Sequence, residues 1–143
     1  MRHDGRMESR HVSTWIAAPP EAVYEFAADP QTWPRWAAGL AQGGLRQTPG
    51  GWVADSPMGE VTVEFSPRND LGVLDHVVRL PTGEAVYNPM RVQPWNVPTD
   101  AGEPRCEVVF SVRRRPAMTD EQFDADTEAV AADLATLKRL IED

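Results

Sequence analysis

The stretch TDEQFDADTEAVAADLATLKRLIED, residues 119–143, reads as one long helix, and the rest of the chain has to be placed against it. Thr119-Asp120-Glu121-Gln122 has the form of a capping box, in which a hydroxyl accepts one orphan backbone N–H and the Gln122 side chain reaches back for another. Phe123, Thr127, Val130, Leu134, Leu137 and Ile141 follow at spacings of four, three, four, three and four. That is a continuous helical stripe, padded by Ala125, Ala129, Ala132 and Ala135. Asp120, Glu121, Asp124, Asp126 and Glu128 stand at the positive end of the helix dipole, Lys138 and Arg139 near the negative end. About 24 helical residues span about 36 Å, enough to cross a small domain.

The surface such a helix needs is offered by short alternating strands. Residues 11–17 alternate, with Val12, Thr14 and Ile16 on one side and Ser13 and Trp15 on the other. Pro20 suits the first turn of a short helix that places Val23, Phe26 and Ala27 on one face; Asp29-Pro30 breaks it. Residues 32–40, opening Thr32-Trp33-Pro34-Arg35-Trp36, start a second short helix. From Gly43 the chain is a meander, with strands expected at 45–48, 51–55, 60–67, 72–80, 84–93 and 105–114 and turn residues between them. The longest loop, 98–104, is polar. Two helices after the first strand, then strands only, then a long helix indicate an α+β domain whose short helices close one end of a sheet.

These residues carry a resemblance. The run Ile16-Ala17-Ala18-Pro19-Pro20-Glu21-Ala22-Val23-Tyr24-Glu25-Phe26, then Asp29-Pro30 and Trp33-Pro34-Arg35-Trp36, resembles the opening of the START-like (SRPBCC) superfamily, in particular its polyketide cyclase/dehydrase-type members. Gly83-Glu84 between strands and the capped terminal helix are similar too. The resemblance covers residues 11–143 as a single START-like domain, after a disordered leader at 1–10. It implies a helix-grip (START/Bet v 1-like) fold: a seven-stranded antiparallel sheet wrapped around the C-terminal helix, with an apolar cavity between them. It is specific for fold and weak for function, because the superfamily spans cyclases, lipid carriers, hormone receptors and chaperone cofactors.

Composition narrows the classes. A length of 143 residues suits one domain with a real core. A net charge of -8 and a pI near 4.8 argue against nucleic acid and anionic membrane as partners. The one basic run, Arg113-Arg114-Arg115, reads as a solvated rim. A single cysteine, Cys106, allows no intramolecular disulfide and points to the cytoplasm. No apolar run reaches transmembrane length. Three scattered histidines supply no metal site, and no phosphate-cradling loop or activated nucleophile appears, so neither metal nor cofactor is expected.

Period two assigns the faces. Val61, Val63 and Phe65 share one; Cys106, Val108, Phe110 and Val112 share another. On 72–80 the apolar face is Leu74, Val78 and Leu80 with one polar member, His76; on 84–93 it is Val86, Met90 and Val92 with one polar member, Asn88. Pro81-Thr82-Gly83 has proline and glycine where a three-residue hairpin loop wants them, which sets His76 opposite Asn88, in reach of a shared hydrogen bond. Pro89 marks a bulge beyond that pair. His76 and Asn88 are the candidate catalytic or binding pair; mutual satisfaction in a packed core is the alternative. Asp75, beside His76, points to the opposite face and cannot orient its ring. Tyr87, Arg79 and Arg91 fall on the outer face as solvated surface. Trp33 and Trp36 either lid the cavity or plug the core, and Met58, Met90 and Met118 line the cavity or its rim.

The expected cavity is thus Trp33, Trp36, Phe65, Leu74, His76, Val78, Asn88, Met90 and Phe110 facing Phe123, Thr127 and Val130 of the helix. Its first use would be binding a hydrophobic small molecule, polyketide-, lipid- or aromatic-like. The alternative that the resemblance implies is a cofactor-free aromatase/cyclase or dehydratase, with His76 as general acid or base and Asn88 holding a carbonyl or enolate oxygen. A protein-interaction domain with no ligand is the third reading, and a homodimer is left open.

Overall fold

The computed structural model describes residues 7–37, 43–57, 59–97 and 101–143. Strand β1 (Ser9–Ile16) leads to helix α1 (Pro20–Ala27), a 3-10 turn (Pro30–Thr32) and the one-turn helix α2 (Trp33–Trp36). Strands β2 (Leu45–Thr48), β3 (Gly51–Ser56), β4 (Gly59–Phe65), β5 (His76–Arg79), β6 (Ala85–Asn88), β7 (Met90–Pro94) and β8 (Cys106–Arg113) follow, and helix α3 (Asp120–Glu142) ends the chain. All pairings are antiparallel, in the orders β2-β3-β4-β5-β6 and β1-β8-β7. Because β6 and β7 are successive pieces of one strand, the two ladders make one curled sheet gripping α3. The architecture is the α+β helix grip.

The strand count departs from the expected seven because 84–93 is divided at Pro89, which has no N–H to give a ladder. One register nevertheless runs through the division: His76 pairs with Asn88 on one side of it and Val73 bridges Arg91 on the other, which sets Asp75 opposite Pro89. Asp75, only 4% exposed, repairs the gap with its side chain. Its carboxylate accepts hydrogen bonds from Met90 N–H (2.9 Å), Arg91 Nε and Nη2 (2.9 and 2.8 Å) and Tyr87 Oη (2.7 Å). The Arg91 guanidinium, with the Met90 amide and the Tyr87 hydroxyl behind it, holds this carboxyl well below the usual carboxylate range. Tyr87 and Arg91 are therefore not plain solvated surface; of that trio only Arg79, paired with Glu64, fills that role.

Other boundaries also move. Ser9 and Arg10, expected in the leader, are strand, because the Arg114 N–H donates to the Glu8 carbonyl and extends the β1–β8 ladder. Arg114 is no solvated rim either: it bridges Glu8 and Asp120 and donates to the Met118 carbonyl. Leader residues 1–6, the expected end of the second helix at 38–40, Met58 and loop residues 98–100 lie outside the described residues.

The hairpin loop is as expected. Leu80 N–H donates to Glu84 O and Gly83 N–H to Leu80 O, with Gly83 at φ +94°, where a side chain would be strained. The capping box on α3 is complete: Gln122 N–H donates to Thr119 Oγ1 (3.1 Å) and Thr119 N–H to Gln122 Oε1 (2.9 Å). Leu134 and Leu137 enter the main core with Ile16, Val23, Met90 and Val108. Phe123 fills a smaller one with Val112 and Met118 beneath the Arg10 and Arg114 guanidiniums. No helix among the described residues is long and apolar enough to cross a membrane.

Replacing Asp75 by Asn should cost about 3 kcal/mol at neutral pH, since it removes the charge from a buried, fully bonded acceptor. A depressed carboxylate contributes its stability above the unfolded pKa of about 4 and loses it as pH falls through the folded value. The gap between parent and variant should therefore narrow in acid. Equal urea midpoints at pH 7 would refute this role.

Candidate functional site

α3 packs chiefly on β1, β8 and α2. The β5–β6 part of the sheet consequently faces the helix across a space, a cavity of about 240 Å³. Its sheet wall is His76 and Val78 of β5, Val86 and Asn88 of β6, and Phe110 of β8, with Leu80 and Val112 at its margins. Trp33, Trp36 and Ala37 close one side. The helix contributes Asp126, Ala129, Val130, Asp133 and Leu134, and Arg113 and Arg115 complete a charged rim.

Both tryptophans are pinned. Trp33 Nε1 donates to Ala27 O (2.9 Å) and Trp36 Nε1 to Thr32 Oγ1 (3.4 Å), which leaves their ring faces to pack 4.8 Å apart. They are at once core plug and cavity wall. His76 stands edge-on to Trp33 (4.8 Å) and Phe110 (5.7 Å) and is 3% exposed.

His76 Nδ1 lies 3.0 Å from the Leu74 carbonyl oxygen. A carbonyl can only accept, so Nδ1 carries the hydrogen, and in the neutral ring Nε2 is left as an acceptor. Burial keeps the ring neutral, pushing its pKa down to about 4 against the smaller opposing pulls of the Leu74 carbonyl and Asp75. Among the described residues no donor reaches Nε2. The expected His76–Asn88 hydrogen bond does not form, because each side chain bonds the carbonyl two residues before it: His76 that of Leu74, and Asn88 Nδ2 that of Val86 (3.3 Å). Both therefore keep polar capacity for something in the cavity.

At the rim, Arg115 pairs with Glu84 of the hairpin (3.2 Å) and the Arg113 guanidinium lies 5.8 Å from the Tyr87 ring centre. Partial burial raises the Asp126 carboxyl pKa despite the pull of Arg115. No three His, Cys, Asp or Glu side chains among the described residues come together as a metal site.

Of the residues expected to line the cavity, Trp33, Trp36, His76, Val78, Asn88, Phe110 and Val130 do so. Phe65 packs behind Trp33 (5.0 Å), Leu74 and Met90 are in the main core, and Phe123 is in the smaller core. Thr127 spends its hydroxyl on the Phe123 carbonyl (2.8 Å), beside Arg10. The helix face on the cavity is thus rotated from the apolar stripe. Asp126, Ala129, Val130, Asp133 and Leu134 recur at i, i+3, i+4, i+7 and i+8, a periodicity hidden because it mixes acids with a small residue. Leu80 and Val86, assigned to the apolar inner faces, also reach the cavity, and so does Arg115, which was read as solvated rim.

A sheet curled around a long terminal helix with a cavity between them is the helix-grip fold. Solved structures that share it include the protein XoxI from Bacillus cereus, with 16% identity and a TM-score of 0.69 over 94% of this chain and 96% of that one. Zhui aromatase/cyclase from Streptomyces sp. R1128 has 15% identity and a TM-score of 0.64 over 96% and 94%. Ara h 8.0201 has 11% identity and a TM-score of 0.64 over 95% and 98%. At these identities the likeness is one of fold. No family model matches the chain, and no curated protein matches its sequence.

His76 should leave a pH signature. Because its folded pKa is depressed from 6.5 to about 4, the unfolded chain binds a proton in that window that the folded chain does not. Stability is therefore full above about pH 6.5 and falls as the pH drops toward 4, by about 3 kcal/mol. His76→Leu should remove that component from the pH dependence of unfolding. A His76 ring that titrates near 6.5 by NMR would contradict it.

Proposed function

We propose that the cavity binds a small hydroxylated aromatic compound of about two rings. The observation that carries this is the polarity of His76: a buried, neutral imidazole whose Nε2 can only accept, set among aromatic rings. A ligand matched to it offers an O–H or N–H donor from an apolar, flat body. Size agrees, since an apolar cavity of about 150 Å³ takes benzene and drug-sized ligands need roughly 300 Å³ or more; this one measures about 240 Å³. The edge-to-face packing of Trp33, His76 and Phe110 favours a ring over an alkyl chain. The buried, unpaired Cys106 supports a reducing, cytoplasmic setting.

Calorimetry with 2-naphthol and its methyl ether tests the reading. The naphthol should bind about tenfold more tightly, the equivalent of about one hydrogen bond. His76→Phe should erase the difference, and Ala129→Trp should abolish binding of both while leaving the unfolding free energy within about 1 kcal/mol. Equal affinity for the ether, or undiminished binding by Ala129→Trp, would overturn it.

A second reading is catalytic. A buried base beside an amide suits proton abstraction α to a carbonyl, His76 Nε2 taking the proton and Asn88 holding the enolate oxygen. Zhui, described as an aromatase/cyclase, and the di-domain ARO/CYC BexL share the fold. The probe is α-deuterium exchange into 2-tetralone, which His76→Gln should slow at least a hundredfold. No exchange above buffer would remove this reading and leave the binding one.

A further inference from the structure

A second concavity, of about 430 Å³, shares no lining residue with the ligand cavity. It opens between α1, the loop 69–72 and the end of β7, where Pro20, Tyr24, Val92 and Pro94 make an apolar floor. Glu21, Glu25 and Asp70 also line it, and among the described residues no cation does. Arg68 takes up Glu25. Among the described residues Glu21 and Asp70 have no cationic partner.

Leu71 stands at its edge, 80% exposed. A mobile loop would fold this side chain down onto the apolar floor beside it. This loop is held against doing so. Asn69 Oδ1 accepts from the N–H groups of Leu71 (2.9 Å) and Val73 (3.0 Å), Nδ2 donates to the carbonyls of Pro67 (2.9 Å) and Val73 (3.0 Å), and its own N–H donates to Tyr24 Oη (2.9 Å). Gly72 then lies directly on β7: a Cβ there would sit 2.2 Å from the Val92 carbonyl oxygen, and φ is +73°. The backbone on both sides of Leu71 is fixed, and the leucine is presented to water.

We infer that this cleft docks an extended segment of a partner protein in which a lysine or arginine is flanked by apolar side chains. The cation lies between Glu21 and Asp70, and the flanking apolar side chains pack on the floor and against Leu71. A small molecule is enclosed by concave walls and has no use for a projecting leucine; a polypeptide segment can pack against the knob while its own side chains fill the cleft. An apolar centre with a polar rim is the general anatomy of a protein interface. The charge complementarity is local as well as global, since the chain carries a net charge of -8.

The test uses the full chain, isotope-labelled, titrated with a ten-residue peptide of alternating lysine and leucine and with its glutamate–leucine counterpart. Binding of the lysine peptide should move the amides of residues 20–25, 69–73 and 92–95 together, and the glutamate peptide should move none. Leu71→Ala should weaken binding at least tenfold, about 1.4 kcal/mol, and Glu21→Lys with Asp70→Lys should abolish it. Naphthol affinity in the other cavity should stay unchanged in all these variants. Shifts spread over the acidic start of α3 instead, or affinity indifferent to Leu71→Ala, would overturn the inference. So would sedimentation showing a dimer of this chain that Glu21→Lys with Asp70→Lys dissociates.

Discussion

The carboxylate of Asp75 holds the two halves of the sheet together. Opposite it stands Pro89, which cannot donate to the ladder, and a break there would separate the five-stranded half from the three-stranded one. Asp75 accepts the next amide along, Met90 N–H, and is held in turn by Arg91 and Tyr87, so the register passes the proline intact. The neighbouring residue follows from this geometry. Since side chains alternate across a strand, fixing Asp75 outward turns His76 inward, toward the helix. Beside the backbone bonds from Leu74 N–H to Met90 O and from Val92 N–H to Gly72 O, one buried carboxylate thereby carries the sheet past the proline and aims the most distinctive side chain of the cavity.

The cavity itself results from where α3 rests. Leu134, Leu137 and Phe123 anchor the helix to β1, β8 and α2, where burying large apolar side chains is worth about 2 kcal/mol each. Nothing comparable draws it over β5 and β6. There the helix presents Ala129, too short to fill the space, between Asp126 and Asp133, whose charge favours the rim over closed packing. An apolar pair at those two positions would pull the helix onto the sheet and close the space. The acids thus help to keep the cavity open, whatever enters it.

The elements legible in the sequence were those dictated by local chemistry. The capping box, the 3.6-residue stripe and the Pro-Thr-Gly loop each specify their own geometry, and the loop alone set His76 opposite Asn88. Three things were not legible, each because it depends on tertiary placement. An alternating pattern cannot say that a proline will be answered by a carboxylate on the next strand, so Tyr87 and Arg91 read as surface. A helix stripe shows which face is buried but not where burial stops, so Phe123 and Thr127 were expected at the cavity and Asp126 and Ala129 were not. Cross-strand opposition fixes backbone proximity but not rotamers, so the His76–Asn88 hydrogen bond was expected where each side chain bonds the carbonyl two residues before it.

The placement of His76 also ranks the two readings of the cavity. General-base catalysis is most effective when the base's pKa lies near the working pH, because a weaker base gives less driving force for proton transfer. Burial that pushes His76 to about 4 makes it an acceptor that is always available at neutral pH and a base about three-hundredfold weaker than an ordinary imidazole. The same environment therefore favours hydrogen bonding to a ligand hydroxyl and disfavours removing a proton from carbon. Catalysis would require the substrate to bring compensating charge into the cavity, raising the imidazole pKa as it binds. Asp75, the nearest charge in sequence, is committed to Met90, Arg91 and Tyr87 on the opposite face, and its pull on His76 is the weaker effect beside burial. The pulls that lift His76, from the Leu74 carbonyl and Asp75, are outweighed by its burial, and for that reason the binding reading stands ahead of the catalytic one.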